Sequence, residues 1–197
     1  FASTGGAIYG EQDYFPADEE HPLRPLSPYG ITKLTTEKYL YFYNAVYGID
    51  YIVLRYANVY GPRQNPHGEA GVVAIFCNKL LKGEQPLING DGKQTRDYVY
   101  LDDVVNAMVA AATAPNVNQQ IINIGSGVET SVRELVRLIS EVTGKSPEVI
   151  YNPHNGGGVS RMCADITLAK QKLNYQPKTS LLAGLRLTYQ IDGRLSQ

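Results

Sequence analysis

Ser27-Pro28-Tyr29-Gly30-Ile31-Thr32-Lys33 opens a helical stretch that runs to about Tyr47, and after Gly48 comes Tyr51-Ile52-Val53-Leu54-Arg55. Ser27 suits the N-cap, and Pro28 fits the first helical position, where a missing N–H costs nothing. Gly48 suits the left-handed residue that ends a helix. The continuous β-rich run at 51–55 is the pattern of a parallel strand buried on both faces. Helix, glycine turn and buried strand in that order predict an α/β, doubly wound unit. Tyr29 and Lys33 stand four residues apart and so share one helix face. A cation beside a phenol favours the phenolate and moves a tyrosine toward the working range of a general base. An ordinary surface pair on an amphipathic helix has the same spacing, so the pair alone does not settle the chemistry.

Composition narrows the classes. The 197 residues are 43% hydrophobic and 19% charged, enough for one good core or somewhat more than one domain, and unlike a disordered chain. The net charge is −1 and the pI is near 6.3, with lysines and arginines scattered. Neither a nucleic-acid partner nor a polybasic membrane patch is expected. No apolar run approaches the ~18 residues of a membrane span. Cys77 and Cys163 lie in apolar segments with no signal peptide, as reduced packing residues of a cytoplasmic protein do. His21, His67 and His154 lack ligand spacing, so no metal site is expected. The chain opens on Phe1-Ala2-Ser3-Thr4-Gly5-Gly6-Ala7, which reads as the end of a buried strand entering a glycine turn. Further sequence is expected before it.

Residues 10–26 are polar, rich in Pro, Asp and Glu, and without periodicity, which predicts a loop. Residues 61–68 form another, followed by a helix from about Gly71 to Leu81 closed by Gly83. A short strand at 86–88 enters the turn Gly90-Asp91-Gly92, and 96–100 alternates like a half-exposed strand. Asp102 or Asp103 is placed to cap a helix over 104–114, and 121–125 reads as another buried strand. Ser131 and Glu134 form a capping box. Beyond it come a strand at 148–151, a glycine loop at 156–158, a helix at 166–173 and a final helix after Ser180.

Four motifs fall in one order: Ser3-Thr4-Gly5-Gly6-Ala7-Ile8-Tyr9-Gly10; Tyr29-x-x-x-Lys33; Leu54-Arg55-Tyr56-Ala57-Asn58-Val59-Tyr60-Gly61-Pro62-Arg63; and Gly90-Asp91-Gly92 with Arg96-Asp97-Tyr98-Val99-Tyr100-Leu101-Asp102-Asp103. Together they resemble the NAD-dependent epimerase/dehydratase family of extended short-chain dehydrogenases, which act on nucleotide-activated sugars. The resemblance implies the C-terminal part of a Rossmann-type doubly wound parallel sheet plus a smaller α/β substrate-binding domain. Residues 1–60 and 98–125 would be the remainder of the NAD-binding unit, and 61–97 with 126–197 the nucleotide-sugar unit. The family's GxxGxxG turn, which cradles the pyrophosphate, does not occur in these residues.

Carried over by motif, Tyr29 is implied as the general base/acid on the sugar hydroxyl, and Lys33 as its activating partner and a ligand of the nicotinamide ribose. A one-residue glycine insertion leaves Thr4 as the best match to the serine or threonine that shares the proton. Ser3 is second, and is also placed on the cofactor; both also suit a strand-end cap. Tyr56 and Ala57 fall where the family contacts the nicotinamide. Asn58 falls on the sugar diphosphate, or is a turn residue. Arg96 offers a guanidinium fork for the diphosphate, against a surface pair with Asp97 worth little. Val72 and Val73 fall where the nucleotide packs, and equally suit a core. The family's second phosphate arginine aligns with Asn155-Gly156-Gly157-Gly158, which leaves Arg161 as a nearby substitute. Met162 falls near the position that limits sugar size.

Removing water from a keto sugar needs an acid and a base at the strand end, and Gly5-Gly6-Ala7 provides neither. The expected reaction is therefore inversion at C4 of a UDP-hexose such as UDP-glucose or UDP-galactose, through a 4-keto intermediate. A UDP-glucuronate 4-epimerase and a nucleotide-sugar reductase are the alternatives, and a non-catalytic binder is a third. Leu40, Tyr43 and Val46 form a further stripe on the 28–47 helix; the resemblance implies a homodimer contact through this helix, and packing on the chain's own sheet fits the stripe as well.

Overall fold

Ser27 accepts a hydrogen bond from Gly30 N, Pro28 occupies the first turn, and Gly48 (φ 68°) donates its N–H to Asn44 O. These three residues bound a long helix where the sequence places it. The computed structural model describes residues 1–67, 71–146, 148–153 and 159–192, so the loop at 155–158 lies outside the described residues. Along the chain come β1 (Ala2–Thr4), a single turn α1 (Gly5–Ile8), α2 (Pro28–Tyr47), β2 (Ile52–Tyr56), β3 (Asn58–Tyr60) and α3 (Val72–Leu81). There follow β4 (Leu87–Asn89), β5 (Thr95–Tyr100), α4 (Leu101–Thr113), β6 (Gln120–Ile124) and β7 (Glu129–Ser131). The chain continues through α5 (Val132–Thr143), β8 (Ile150–Asn152), α6 (Thr167–Leu173) and α7 (Leu181–Ile191).

β1, β2 and β6 form a parallel sheet in the order β1-β2-β6. Thr4 pairs with Tyr56 and Tyr56 with Ile124, so the three carboxyl ends finish level. β3 and β5 pair parallel with β7 antiparallel on the far edge, and β4 pairs parallel with β8. One apolar cluster gathers Leu54, Ile122 and Ile124 of the first sheet with Val104 and Ala107 of α4, and it takes in Met162, Ala169 and Tyr175 from the C-terminal part. A second gathers Phe76 and Leu80 of α3, Leu135 and Ile139 of α5, and Leu185 of α7.

Several local expectations are corrected. β5 is not half-exposed: Asp97 to Tyr100 are all buried, because Val99 faces the first cluster and Tyr98 and Tyr100 face the second. α4 begins directly after β5 at Leu101, so Asp102 and Asp103 lie in its first turn and cap nothing. There they still complement the helix dipole, and Asp103 accepts from the backbone N–H groups of Lys178 and Thr179 at 3.0 Å each. Only half of the capping box forms. Ser131 accepts from Glu134 N, while the Glu134 carboxylate turns to Arg137. The glycine turn after β1 is a helical turn, and β3 and β7 are too short for their periodicity to show.

On α2 only Gly30 and Glu37 are buried, and Tyr43 and Val46 are exposed. Leu40 of that stripe is half-buried, while Tyr43 and Val46 do not pack on the described sheet. Among the described residues no helix is long and apolar enough to cross a membrane. Gly30 brings the first turn of α2 against α1: a Cβ there would lie 2.5 Å from Ala7 O and 2.9 Å from Pro25 Cβ. Gly30→Ala is expected to destabilise the full-length gene product by about 1–3 kcal/mol, as overpacking against backbone does. Thermal unfolding of the variant reads this directly.

Candidate active site

Thr4 ends β1 at the level where Tyr56 ends β2. It is buried, and although it precedes α1 its side chain makes no cap bond, so capping does not account for it. Ser3, one residue back, alternates to the opposite face and donates its hydroxyl to Glu37 Oε1 at 2.5 Å. That commits the Ser3 hydroxyl to the protein interior, not to a cofactor. Tyr29 sits in the first turn of α2 with 52% of its surface exposed, its phenol open to a ligand. Lys33 Nζ lies 5.6 Å from the centre of the Tyr29 ring and donates to Ala2 O at 2.8 Å. The two side chains thus stand together over the β1 strand.

Gly6 marks the point where distant segments meet. A Cβ built there would lie 3.3 Å from Met162 Cε, 3.5 Å from Asn58 Oδ1 and 3.8 Å from Thr4 Oγ1. Asn58, at the start of β3, also lines a cleft of about 470 Å³ with Val72, Lys79, Gln94, Arg96 and Tyr98. Asn58 thus borders both the corner at Thr4 and the cleft.

Arg96 is half-buried in the cleft, and its Nη1 donates to Thr95 O at 2.7 Å. Among the described residues no carboxylate forms an ion pair with it. Burial pulls its pKa below the ordinary guanidinium value, against the pull of Tyr98 and Glu11. A cation so placed fits an anionic ligand. The surface pair with Asp97 does not form. Asp97 is fully buried and accepts from Ser126 N, Ser126 Oγ, Gly127 N and Ala164 N, although desolvation raises its pKa. Burial pushes the Tyr98 phenol up to about 12, and among the described residues its buried hydroxyl has no partner. It is a ready donor, since an unmet buried hydroxyl costs roughly 1–3 kcal/mol.

The remaining candidates divide. Val72 lines the cleft, whereas Val73 is core beside Phe76 and Leu80. Tyr56 is half-buried and Ala57 buried at the end of the first sheet. Arg161 does not line the cleft. Its guanidinium makes two bonds to Glu129, at 2.9 and 2.7 Å, and stacks 3.9 Å over the Phe15 ring. Its charge is already met, so it does not stand in for a second phosphate arginine.

The model of the NAD dependent epimerase/dehydratase family matches residues 1–125. The chain belongs to that family. A putative UDP-glucose 4-epimerase of Methanocaldococcus jannaschii is 50% identical over 94% of this chain and 60% of its own length. The crystal structure of UDP-glucose 4-epimerase with UDP-glucose from Thermotoga maritima is 51% identical, with a TM-score of 0.92 over 96% of this chain and 61% of that one. A Thermus thermophilus UDP-glucose 4-epimerase in complex with NAD is 41% identical, with a TM-score of 0.89 over 96% of this chain and 62% of that one. The chain thus spans about 60% of the length of the relatives it matches. In this epimerase/dehydratase chain the parallel β1-β2-β6 layer is part of the Rossmann-type sheet.

The donor set fits the nicotinamide-ribose end of NAD: an exposed tyrosine and an ammonium stand side by side over β1. Three residues of this family member escaped the motif reading. Glu37 and Arg55 form a buried ion pair at 2.7 Å, and Tyr98 carries the orphaned hydroxyl. The first signal was an arginine inside the apolar run Ile52-Val53-Leu54, which demands a buried acid.

Proposed function

We propose that the full-length protein is an NAD-dependent 4-epimerase of UDP-hexoses, taking UDP-glucose and UDP-galactose. The observation that carries this reading is Gly6. Where Thr4, Asn58 and Met162 converge, the chain puts a residue with no side chain, between Gly5 and Ala7. No side chain of Gly5, Gly6 or Ala7 protonates a leaving hydroxyl, which leaves inversion without elimination.

In this reading Tyr29 takes the proton of the sugar O4, Thr4 shares it, and Lys33 stabilises the phenolate. Arg96 and Asn58 hold the diphosphate, with the Tyr98 hydroxyl as a further donor, and Val72 packs the nucleotide. Tyr29, Lys33, Tyr56 and Ala57 would hold the nicotinamide end of NAD. Bound NAD supplies reversible uptake of hydrogen at C4. The same protein residues serve both directions: Tyr29 gives back the proton once the 4-keto sugar has presented its other face. Residues 1–60 and 98–125 serve the cofactor, and 61–97 with 126–197 serve the nucleotide sugar, with residues 159–175 packed on the former. The protein is cytoplasmic and a homodimer, the exposed Tyr43 and Val46 face of α2 forming the contact.

Product analysis of the full-length gene product tests this. UDP-glucose and UDP-galactose are expected to interconvert with NAD neither gained nor consumed over many turnovers. Stoichiometric loss of NADPH would make the protein a reductase, and turnover of UDP-glucuronate alone would make it a hexuronate epimerase.

A further inference from the structure

Tyr29, Lys33 and Glu37 follow at i, i+4 and i+8 along α2, one stripe of the helix. Lys33 reaches Ala2 O at 2.8 Å, at the start of β1, with the Tyr29 ring centre 5.6 Å from its Nζ, while Glu37 is buried beneath the helix. Glu37 Oε1 accepts from Ser3 Oγ at 2.5 Å and Arg55 Nε at 3.1 Å, and Oε2 accepts from Arg55 Nη2 at 2.7 Å. Ser3 and Arg55 are cross-strand partners on β1 and β2, so one carboxylate is pinned by two adjacent strands. Arg55 Nη1 goes on to Tyr9 OH and Glu19 O, both at 3.2 Å. Tyr9 OH donates to Asn123 Oδ1 at 2.6 Å, reaching the third strand of the sheet.

A buried ion pair is not an efficient source of stability, since apolar residues of the same volume serve as well or better. What a forked guanidinium–carboxylate pair provides is direction. Apolar contacts let a helix slide on a sheet, whereas these bonds hold α2 at one height on β1. Ser3 immediately precedes Thr4, and Tyr29 lies two helical turns before Glu37. Proton transfer needs heavy atoms within about 2.6–3.2 Å, and a misplacement of about 1 Å costs roughly 10²-fold. We propose that Glu37, through Ser3 and Arg55, is the positioning residue that sets the Tyr29–Lys33 face against the Thr4 strand end. This rests on the catalytic reading of Thr4 and Tyr29 given above.

Steady-state kinetics of the full-length gene product, with UDP binding by calorimetry, test it. Ser3→Ala removes one hydrogen bond and leaves the ion pair intact. It is expected to lower kcat about tenfold while KM and the Kd for UDP stay within about twofold. Glu37→Gln is expected to lower kcat about 10²-fold with the same split. If Glu37→Gln does not fold, Ser3→Ala decides alone. In a Tyr29→Phe background, Ser3→Ala is expected to cost nothing further, because both changes act on one proton transfer. The proposal is overturned by an unchanged kcat in Ser3→Ala. It is also overturned if kcat, UDP affinity and unfolding temperature fall together, or if the two changes are fully additive. Undiminished turnover in Tyr29→Phe alone would instead overturn the catalytic reading.

Discussion

Tyr29→Phe is expected to lower turnover of UDP-glucose by the full-length gene product by about 10³-fold, within the 10²–10⁴ range that a general acid–base group contributes. The phenyl ring keeps the shape of a half-exposed side chain, so folding is not at stake. UDP is held in the reading above by Arg96 and Asn58, in a cleft that Tyr29 does not line. The affinity for UDP should therefore stay within about twofold while kcat falls, the signature of an interaction made only in the transition state. Quench-flow or coupled-assay rates with parallel UDP calorimetry separate the two quantities. If kcat persists at more than about a tenth of its starting value, Tyr29 is not the proton carrier.

The second large effect is on stability. Arg55→Met is expected to destabilise the protein by about 3–5 kcal/mol, the cost of leaving one member of a buried pair uncompensated. The side chains of Arg55 and Glu37 are 2% and 3% exposed, so water does not take over the lost partner. Burial by itself would pull the Arg55 pKa down, but the Glu37 and Tyr9 contacts outweigh it and hold the guanidinium above its ordinary value. Replacing both, as Arg55→Met with Glu37→Leu, is expected to recover much of the loss, because no orphaned charge remains. Urea unfolding of the single and double variants completes the cycle. A double variant no more stable than Arg55→Met would show that the cost comes from lost shape, not from charge.

The two effects probe Tyr29 at the start of α2 and the β2 residue that pairs with Glu37 farther along it, and they differ in how far they were legible. Tyr29 and Lys33 are local: their spacing of four puts them on one face wherever the helix goes, and Ser27, Pro28 and Gly48 bound that helix with short-range hydrogen bonds. The same holds for the β-rich run at 52–56 and the strand at 120–124. Where reading failed, a distant partner had overruled local chemistry. Asp103 looks like a cap but serves the backbone of Lys178 and Thr179. Arg161 looks free for a phosphate but meets Glu129, thirty-two residues away. Val72 and Val73 are neighbours in sequence, yet only the first faces the cleft.

By itself, then, the sequence determined the α/β class, the helix that carries Tyr29 and Lys33, and the ordered motifs that place the chain in its family, because capping, periodicity and spacing act over a few residues. Only the tertiary structure decided which side chains share a site. It brings Thr4, Asn58 and Met162 around Gly6, turns Ser3 away to Glu37, and leaves Arg96 and Tyr98 in one cleft. The reason is burial: inside a sheet each polar group must find a partner wherever the chain crosses, and that pairing is set by strand register across thirty or more residues.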